Sequence, residues 1–282
     1  MPLVSTKQML NDAHARHYAV CAFNAENMEM VQAIISAAQH LKAPVIIQTT
    51  PGTLDYADPT IYAAIVKAAA ESATIPVAVH LDHGNSFEMA MKAVKAGYTS
   101  IMIDGSKKPF DENVAITKQV MDVCRAMGIP VEAELGQVGG KEDTQLCDKP
   151  AYADPYEVAE FVRLTNVDSL AVGIGTAHGI YKGAPKIDVE RLSQIHAVVD
   201  VPLVLHGTSG VPRVVVQDCI RRGICKVNYA TDLRIAYTDG VRKFLESDDK
   251  AIDPKKYGQA AKKEVYGCVT DRIRLCGSDG KA

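Results

Sequence analysis

Three histidine–glycine pairs, His83-Gly84, His178-Gly179 and His206-Gly207, each stand just past a short apolar run. Eight histidines and twenty glycines scattered over 282 residues would form such pairs rarely. Three neutral imidazoles with an open fourth position make a catalytic Zn²⁺ site, where the vacant position polarises an oxygen. Any one pair taken alone reads more simply as a core or loop-capping histidine. All three on one rim favour a metal. Asp82 precedes His83, so the two side chains leave the chain in different directions. Asp82 can therefore act as a general acid/base, or it can orient a ligand imidazole through a hydrogen bond. Glu132 and Glu134 alternate on one apolar run and share a face. Each needs a partner if buried: a metal, a histidine, or a Lys or Arg.

The elements that must position these groups are legible as apolar runs. Strands are expected over 18–23, 44–48, 77–80, 100–103, 130–133, 168–172, 202–205 and 223–227. In order they deliver Asn24, Thr50, Asp82/His83, Asp104/Ser106, Glu132/Glu134, His178-Gly179, His206-Gly207 and Asn228/Thr231 to their ends. Helical patterns lie between them. Val31, Ile34, Ile35, Ala38 and Leu41 share a face, Ser86 and Asp188 read as caps, and Asp154-Pro155-Tyr156-Glu157 is a capping box. Eight such units close into an α/β (β/α)₈ TIM barrel, with a doubly wound open sheet as the alternative. No repeat or linker divides the chain, so one domain over 1–282 is expected, with an added C-terminal helix from Asp253-Pro254 to near Cys276. In barrels the strand ends carry the site.

Loops add further chemistry. Residues 136–153 form a long stretch after a rim strand, with Gly139-Gly140 as a hinge and Lys141-Glu142-Asp143 beyond it. That suits a mobile lid carrying an acid/base, or a merely solvated loop. Gly207-Thr208-Ser209-Gly210 and Asn228-Tyr229-Ala230-Thr231 follow the seventh and eighth strands, where barrels often hold phosphate. Lys182 could add a cation. Arg234, one turn past Thr231, could reach a second anion or be a solvated helix residue.

Composition narrows the class. A 47% hydrophobic content supports a full core, and a net charge of −3 gives no broad basic field for nucleic acid. The chain carries no signal-like apolar segment and no membrane-spanning run. Seven dispersed cysteines without a C-x-x-C pattern fit reduced thiols in the cytoplasm and argue against a cysteine zinc site.

Six motifs together resemble the class II, metal-dependent ketose-bisphosphate aldolases: 80–83 (HLDH), 131–136 (VEAELG), 139–143 (GGKED), 175–179 (GTAHG), 205–210 (LHGTSG) and 226–231 (KVNYAT). The resemblance runs from about Ser5 to the C-terminus in family order, and the family fold is the (β/α)₈ barrel. It implies that His83, His178 and His206 bind the catalytic Zn²⁺, with Glu134 and Asp104 supporting or sharing a secondary metal position. It implies that Asp82 acts on the C4 hydroxyl and that Glu142, on the lid, moves the proton at C3 of dihydroxyacetone phosphate. It places Gly179, Lys182, Gly207, Ser209 and Thr231 around the phosphate of that product. Asn24 would orient the lid carboxylate, and Asn228 would contact substrate. Na⁺ or K⁺ often binds beside the same phosphate. Arg234 matches a basic residue that holds the distal phosphate in some relatives, often across a subunit interface. The resemblance implies a homodimer or homotetramer. An accessory subunit occurs among tagatose aldolases.

For the substrate, Thr50 in 50–53 (TPGT) and Ala230 in NYAT resemble the tagatose-1,6-bisphosphate branch. Fructose-1,6-bisphosphate enzymes commonly carry an acidic residue at the position of Ala230. Asn24-Ala25-Glu26-Asn27 departs from the tagatose pattern, which has a histidine in this loop. Tagatose-1,6-bisphosphate is favoured; fructose-1,6-bisphosphate and a phosphorylated sugar acid of inositol breakdown are the alternatives. Another metallo-barrel hydrolase and a non-catalytic barrel subunit are the rival readings.

Overall fold

The computed structural model describes residues 3–142, 145–147, 151–181 and 183–282, giving the backbone alone at 141, 142 and 145–147. The chain begins with α1 (Thr6–Arg16), β1 (Val20–Asn24), α2 (Met28–Leu41), β2 (Val45–Thr49), α3 (Pro51–Tyr56) and α4 (Pro59–Ala70). It continues through β3 (Val77–Gly84), α5 (Phe87–Ala96), β4 (Ser100–Ile103), α6 (Phe110–Ala126) and β5 (Val131–Leu135). Two short strands follow, β6 (Gly139–Glu142) and β7 (Gln145–Cys147), then α7 (Pro155–Thr165), β8 (Ser169–Val172) and β9 (Ala177–His178). The last elements are α8 (Val189–His196), β10 (Leu203–Leu205), α9 (Arg213–Arg221), β11 (Ile224–Tyr229), α10 (Thr231–Ser247) and α11 (Pro254–Leu275).

Eight of the strands form a closed parallel barrel in the order β1-β11-β10-β8-β5-β4-β3-β2. The fold is the expected α/β TIM barrel, and α11 is the expected C-terminal addition, packed on α10 and α2. The start signals act as read. Ser86 accepts from the Met89 N–H, Asp154 from those of Tyr156 and Glu157, and Asp188 from that of Arg191. Gly97 ends α5 in a left-handed conformation, the position where a missing Cβ matters most. No helix among the described residues is long and apolar enough to cross a membrane.

Strand alternation sorts the core into two parts. Cys21, Phe23, Val45, Ile47, Val77 and Val79 face the surrounding helices. Val20, Ala22, Ile46 and Ala78 face the barrel axis, where Met9, Leu10 and Ala13 of α1 close the floor. The described residues of 136–153 include the two short strands β6 and β7. β6 pairs antiparallel with β7 and parallel with β9, setting Gly140 opposite His178. A Cβ on Gly140 would stand 2.2 Å from the His178 carbonyl oxygen, so the close pairing requires glycine.

Candidate metal centre and substrate pocket

β3 brings the first group to the mouth. Plain alternation would send Asp82 inward and His83 out to the helices. Instead the β3–β4 register slips between Leu81 and Gly84, and His83 takes a left-handed conformation with φ 50°. Such a residue is strained by about 1–3 kcal/mol and persists only where its surroundings hold it. The result is that Asp82 and His83 share the mouth. Gly84 makes the slip possible, since a Cβ there would lie 2.5 Å from the Met102 carbonyl oxygen.

His178 arrives on β9 and His206 just past β10. The His83 ring centroid lies 4.9 Å from that of His178 and 4.7 Å from that of His206. One ligand atom from each of the three falls within 4.8 Å of the other two. His83, Asp104 and Glu134 form a second, overlapping group by the same measure.

The ring nitrogens are assigned by their partners. His83 Nδ1 lies 2.8 Å from Asp104 Oδ2, which leaves Nε2 for a ligand. His206 Nε2 lies 2.9 Å from Glu132 Oε1, which leaves Nδ1. That Nδ1 is buried with no hydrogen-bond partner, and so is Glu134 Oε2 only 3.2 Å away. Two lone-pair atoms this close need a proton or a metal cation between them. The donor set and the orphaned Nδ1 fit Zn²⁺.

Asp82 is held by three amides. Asn24 donates to Oδ2 at 2.9 Å, Gln48 to Oδ2 at 3.0 Å, and Asn228 to Oδ1 at 3.1 Å. Gln48 also donates to Asn24 Oδ1 at 2.8 Å, so the cluster is cross-braced. Asp82 Oδ1 stays 3.9 Å from His83 Nε2, so it does not orient that imidazole through a hydrogen bond. Glu132 has both kinds of partner considered for it, since the Lys226 ammonium lies 2.9 Å from Oε2 beneath His206. His80 sits lower still, on Ser100 Oγ at 2.8 Å.

Burial and charge oppose each other throughout. Burial would raise the Asp82 carboxyl, but the positive charge of His83, His206 and Lys226 keeps it below its ordinary value. Burial likewise opposes charge on Asp104 and Glu132; the His83 contact for one and the Lys226 ammonium for the other hold both well below the carboxylate range. Burial, with His83 and His206 nearby, holds His178 well below its ordinary value, in the neutral form a metal requires. Burial and Lys226 push His80 down to about 3.

Beside the imidazoles opens a small pocket. It brings together Asn24, Asp82, His178, Gly179, Gly207, Ser209, Asn228 and Thr231, with Thr208 and Ala230 as added walls. α10 starts at Thr231 with no cap from the Ala230 side chain; the Asp232 N–H in its first turn donates to Ser209 Oγ at 3.3 Å, which ties the loop after β10 to this helix start. Gly207, at φ 63°, lets the loop pass so close to Ala177 that a Cβ would lie 2.7 Å from that backbone. Tyr181 pins this approach, donating to the Gly207 carbonyl and accepting from the Ala177 N–H, each at 2.8 Å.

Other expected residues lie elsewhere. Thr50 is buried and caps α3 through its hydroxyl, outside the pocket. Arg234 pairs with Glu26 at 2.7 Å, also outside it. Lys182 and the Glu142 side chain fall outside the described residues; the Glu142 backbone belongs to β6. Gln48 and Lys226 complete the site without having been singled out for it. Gln48 carries a readable signal, standing two residues past Ile46 on the axis-facing side of an apolar strand.

Solved structures of known proteins are similar to this chain. The YdjI aldolase from Escherichia coli K12 is 37% identical, with 99% of each chain covered and a TM-score of 0.89. A putative fructose-1,6-biphosphate aldolase from Coccidioides immitis is 30% identical over 97% of this chain and 96% of its own, TM-score 0.89. Fructose-bisphosphate aldolase from Campylobacter jejuni, at 20% identity over 100% and 97% with a TM-score of 0.85, shares the fold. The sequence model of fructose-bisphosphate aldolase class-II matches residues 4–281. The chain belongs to the class II fructose-bisphosphate aldolase family and is an aldolase, a carbon–carbon lyase.

Proposed function

We propose that this aldolase cleaves a ketose 1,6-bisphosphate reversibly to dihydroxyacetone phosphate and glyceraldehyde 3-phosphate, with tagatose-1,6-bisphosphate as the favoured substrate. The observation that carries the reading is Asp82, braced by three amides at the edge of an imidazole trio and an anion pocket. Gly179, Gly207, Ser209 and Thr231, at the start of α10, would hold the C1 phosphate. His83, His178 and His206 would hold Zn²⁺, with Asp104 and Glu134 beside them; bound there, the ion supplies Lewis-acid stabilisation of charge developing on substrate oxygens.

In cleavage, Asp82 takes the C4 hydroxyl proton. The C3–C4 bond breaks, its electron pair stays on C3, and C4 leaves as the aldehyde. Asn24, Gln48 and Asn228 fix both carboxylate oxygens, so the proton acceptor does not turn away. Glu142 then delivers a proton to C3, completing dihydroxyacetone phosphate. Na⁺ or K⁺ beside the phosphate, a homodimer or homotetramer, a possible accessory subunit and a cytoplasmic setting belong to the same reading, with residues 1–282 acting as one catalytic barrel.

Fructose-1,6-bisphosphate is the second reading, favoured by the fructose-type Arg234. The two sugars differ only at C4, the carbon whose hydroxyl Asp82 serves. A coupled assay of kcat/KM for both bisphosphates on Zn²⁺-loaded protein decides between them. EDTA should abolish cleavage, Zn²⁺ should restore it, and borohydride should trap no covalent adduct. Cleavage that survives metal removal contradicts the proposal.

A further inference from the structure

Glu26 lies two residues past Asn24, in the turn after β1, and its carboxylate joins two other rim elements. Arg234, one turn into α10, places Nε 2.8 Å and Nη2 2.7 Å from Glu26 Oε1. Thr53 Oγ1 donates to Glu26 Oε2 at 2.7 Å. The Glu26 carbonyl accepts from Tyr62 Oη at 2.7 Å, which fixes the turn itself. β11, β1 and β2 are neighbours in the barrel, so these residues close one continuous sector of the rim. That sector borders the pocket at two points, Asn24 and Thr231. Arg234 is three residues beyond Thr231, about 4.5 Å along the helix axis. Arg234 is 36% and Glu26 27% exposed, so a substrate that extends from the pocket can touch both.

We infer that Glu26 sets the selectivity for the far end of the substrate: by holding Arg234 in an ion pair it makes this sector neutral and suits it to a hydroxylated, unphosphorylated end. A phosphate dianion needs net positive charge, and here it meets a guanidinium with a carboxylate already on it. Approaching Arg234, it is repelled by Glu26 or must displace it. A sugar hydroxyl is served by both members, donating to the carboxylate and accepting from the guanidinium. The enzyme therefore takes ketose 1-phosphates as readily as the matching 1,6-bisphosphates. The inference rests on the aldolase reading above and concerns only the end of the substrate away from C1.

The test compares kcat/KM for ketose 1,6-bisphosphates and the corresponding ketose 1-phosphates, of tagatose and fructose, on Zn²⁺-loaded enzymes. The wild-type ratio of bisphosphate to 1-phosphate should lie below about threefold. Glu26→Gln should raise that ratio by at least about tenfold, a change of about 1.4 kcal/mol. Adding Arg234→Met to that variant should cancel the gain, and Glu26→Asp should keep the wild-type ratio. Should Glu26→Gln fail to fold, the double variant Glu26→Gln/Arg234→Met, which removes both charges and keeps the sector neutral, decides: a ratio within about threefold of wild type supports the inference, and any larger change overturns it. A wild-type ratio of about a hundredfold or more, or a ratio unmoved by Glu26→Gln, also overturns it. Cleavage of neither sugar type by the wild-type enzyme overturns the aldolase reading itself, and this inference with it.

Discussion

The barrel interior changes character along its own axis. At the floor the axis-facing residues are Val20, Ala22, Ile46 and Ala78, filled from below by Met9, Leu10 and Ala13. One or two alternations further up the same strands stand Asn24, Gln48, His80 and Asp82. One end of the interior is therefore ordinary hydrophobic core. The other buries carboxylates, imidazoles and a lysine within the same set of walls, at a cost in desolvation. The difference teaches how the fold divides its work: the floor stabilises, and the mouth is spent on chemistry.

Substitutions at each end can break or sharpen that division. The largest effect is expected from Asp82→Ala, which removes the proposed proton acceptor but none of the proposed metal ligands. Turnover should fall by about 10²–10⁴-fold while zinc content is kept, as read by kinetics and metal analysis. Lys226→Met tests the mouth as a charged structure. It leaves Glu132 buried without its main counter-charge and should destabilise the fold by about 3–5 kcal/mol in denaturant unfolding. The double variant with Glu132→Gln should recover part of that loss.

At the floor, Leu10→Ala should lower stability by about 2–5 kcal/mol yet leave kcat per folded molecule unchanged. A loss of turnover at full zinc occupancy there would break the division. The fourth effect is of pH. The Glu132 carboxyl is depressed in the folded state, so its contribution to stability is full above its ordinary value of 4.5 and lost as pH falls through its folded value below that. His83 has the opposite sign. Burial lowers it, but Asp82 and Asp104 outweigh burial and raise its affinity for a proton, so protons compete with Zn²⁺ there as pH falls. Zinc affinity, measured by competition with a chelator, should weaken by about tenfold per pH unit for each proton displaced.

The sequence disclosed the barrel more fully than the site. Eight apolar runs and their caps were legible because burial and capping are local. The three His-Gly pairs were legible because they repeat. The helix α1 was not, since Met9, Leu10 and Ala13 make too short an apolar pattern. Nor was the left-handed turn at His83, which is set by Gly84 packing on β4. The strands β6 and β7 show no alternation to distinguish them from a loop. Glu132–Lys226 and Glu26–Arg234 join residues 94 and 208 positions apart, and no local spacing announces such pairs.

The central claim is that three imidazoles from β3, β9 and the end of β10 converge on one ion. Crystals of the zinc-loaded protein, measured on either side of the zinc absorption edge, test it directly. A single anomalous peak should lie about 2.0–2.1 Å from one nitrogen each of His83, His178 and His206. No peak at the barrel mouth, or a peak touching only one of these imidazoles, would contradict the account.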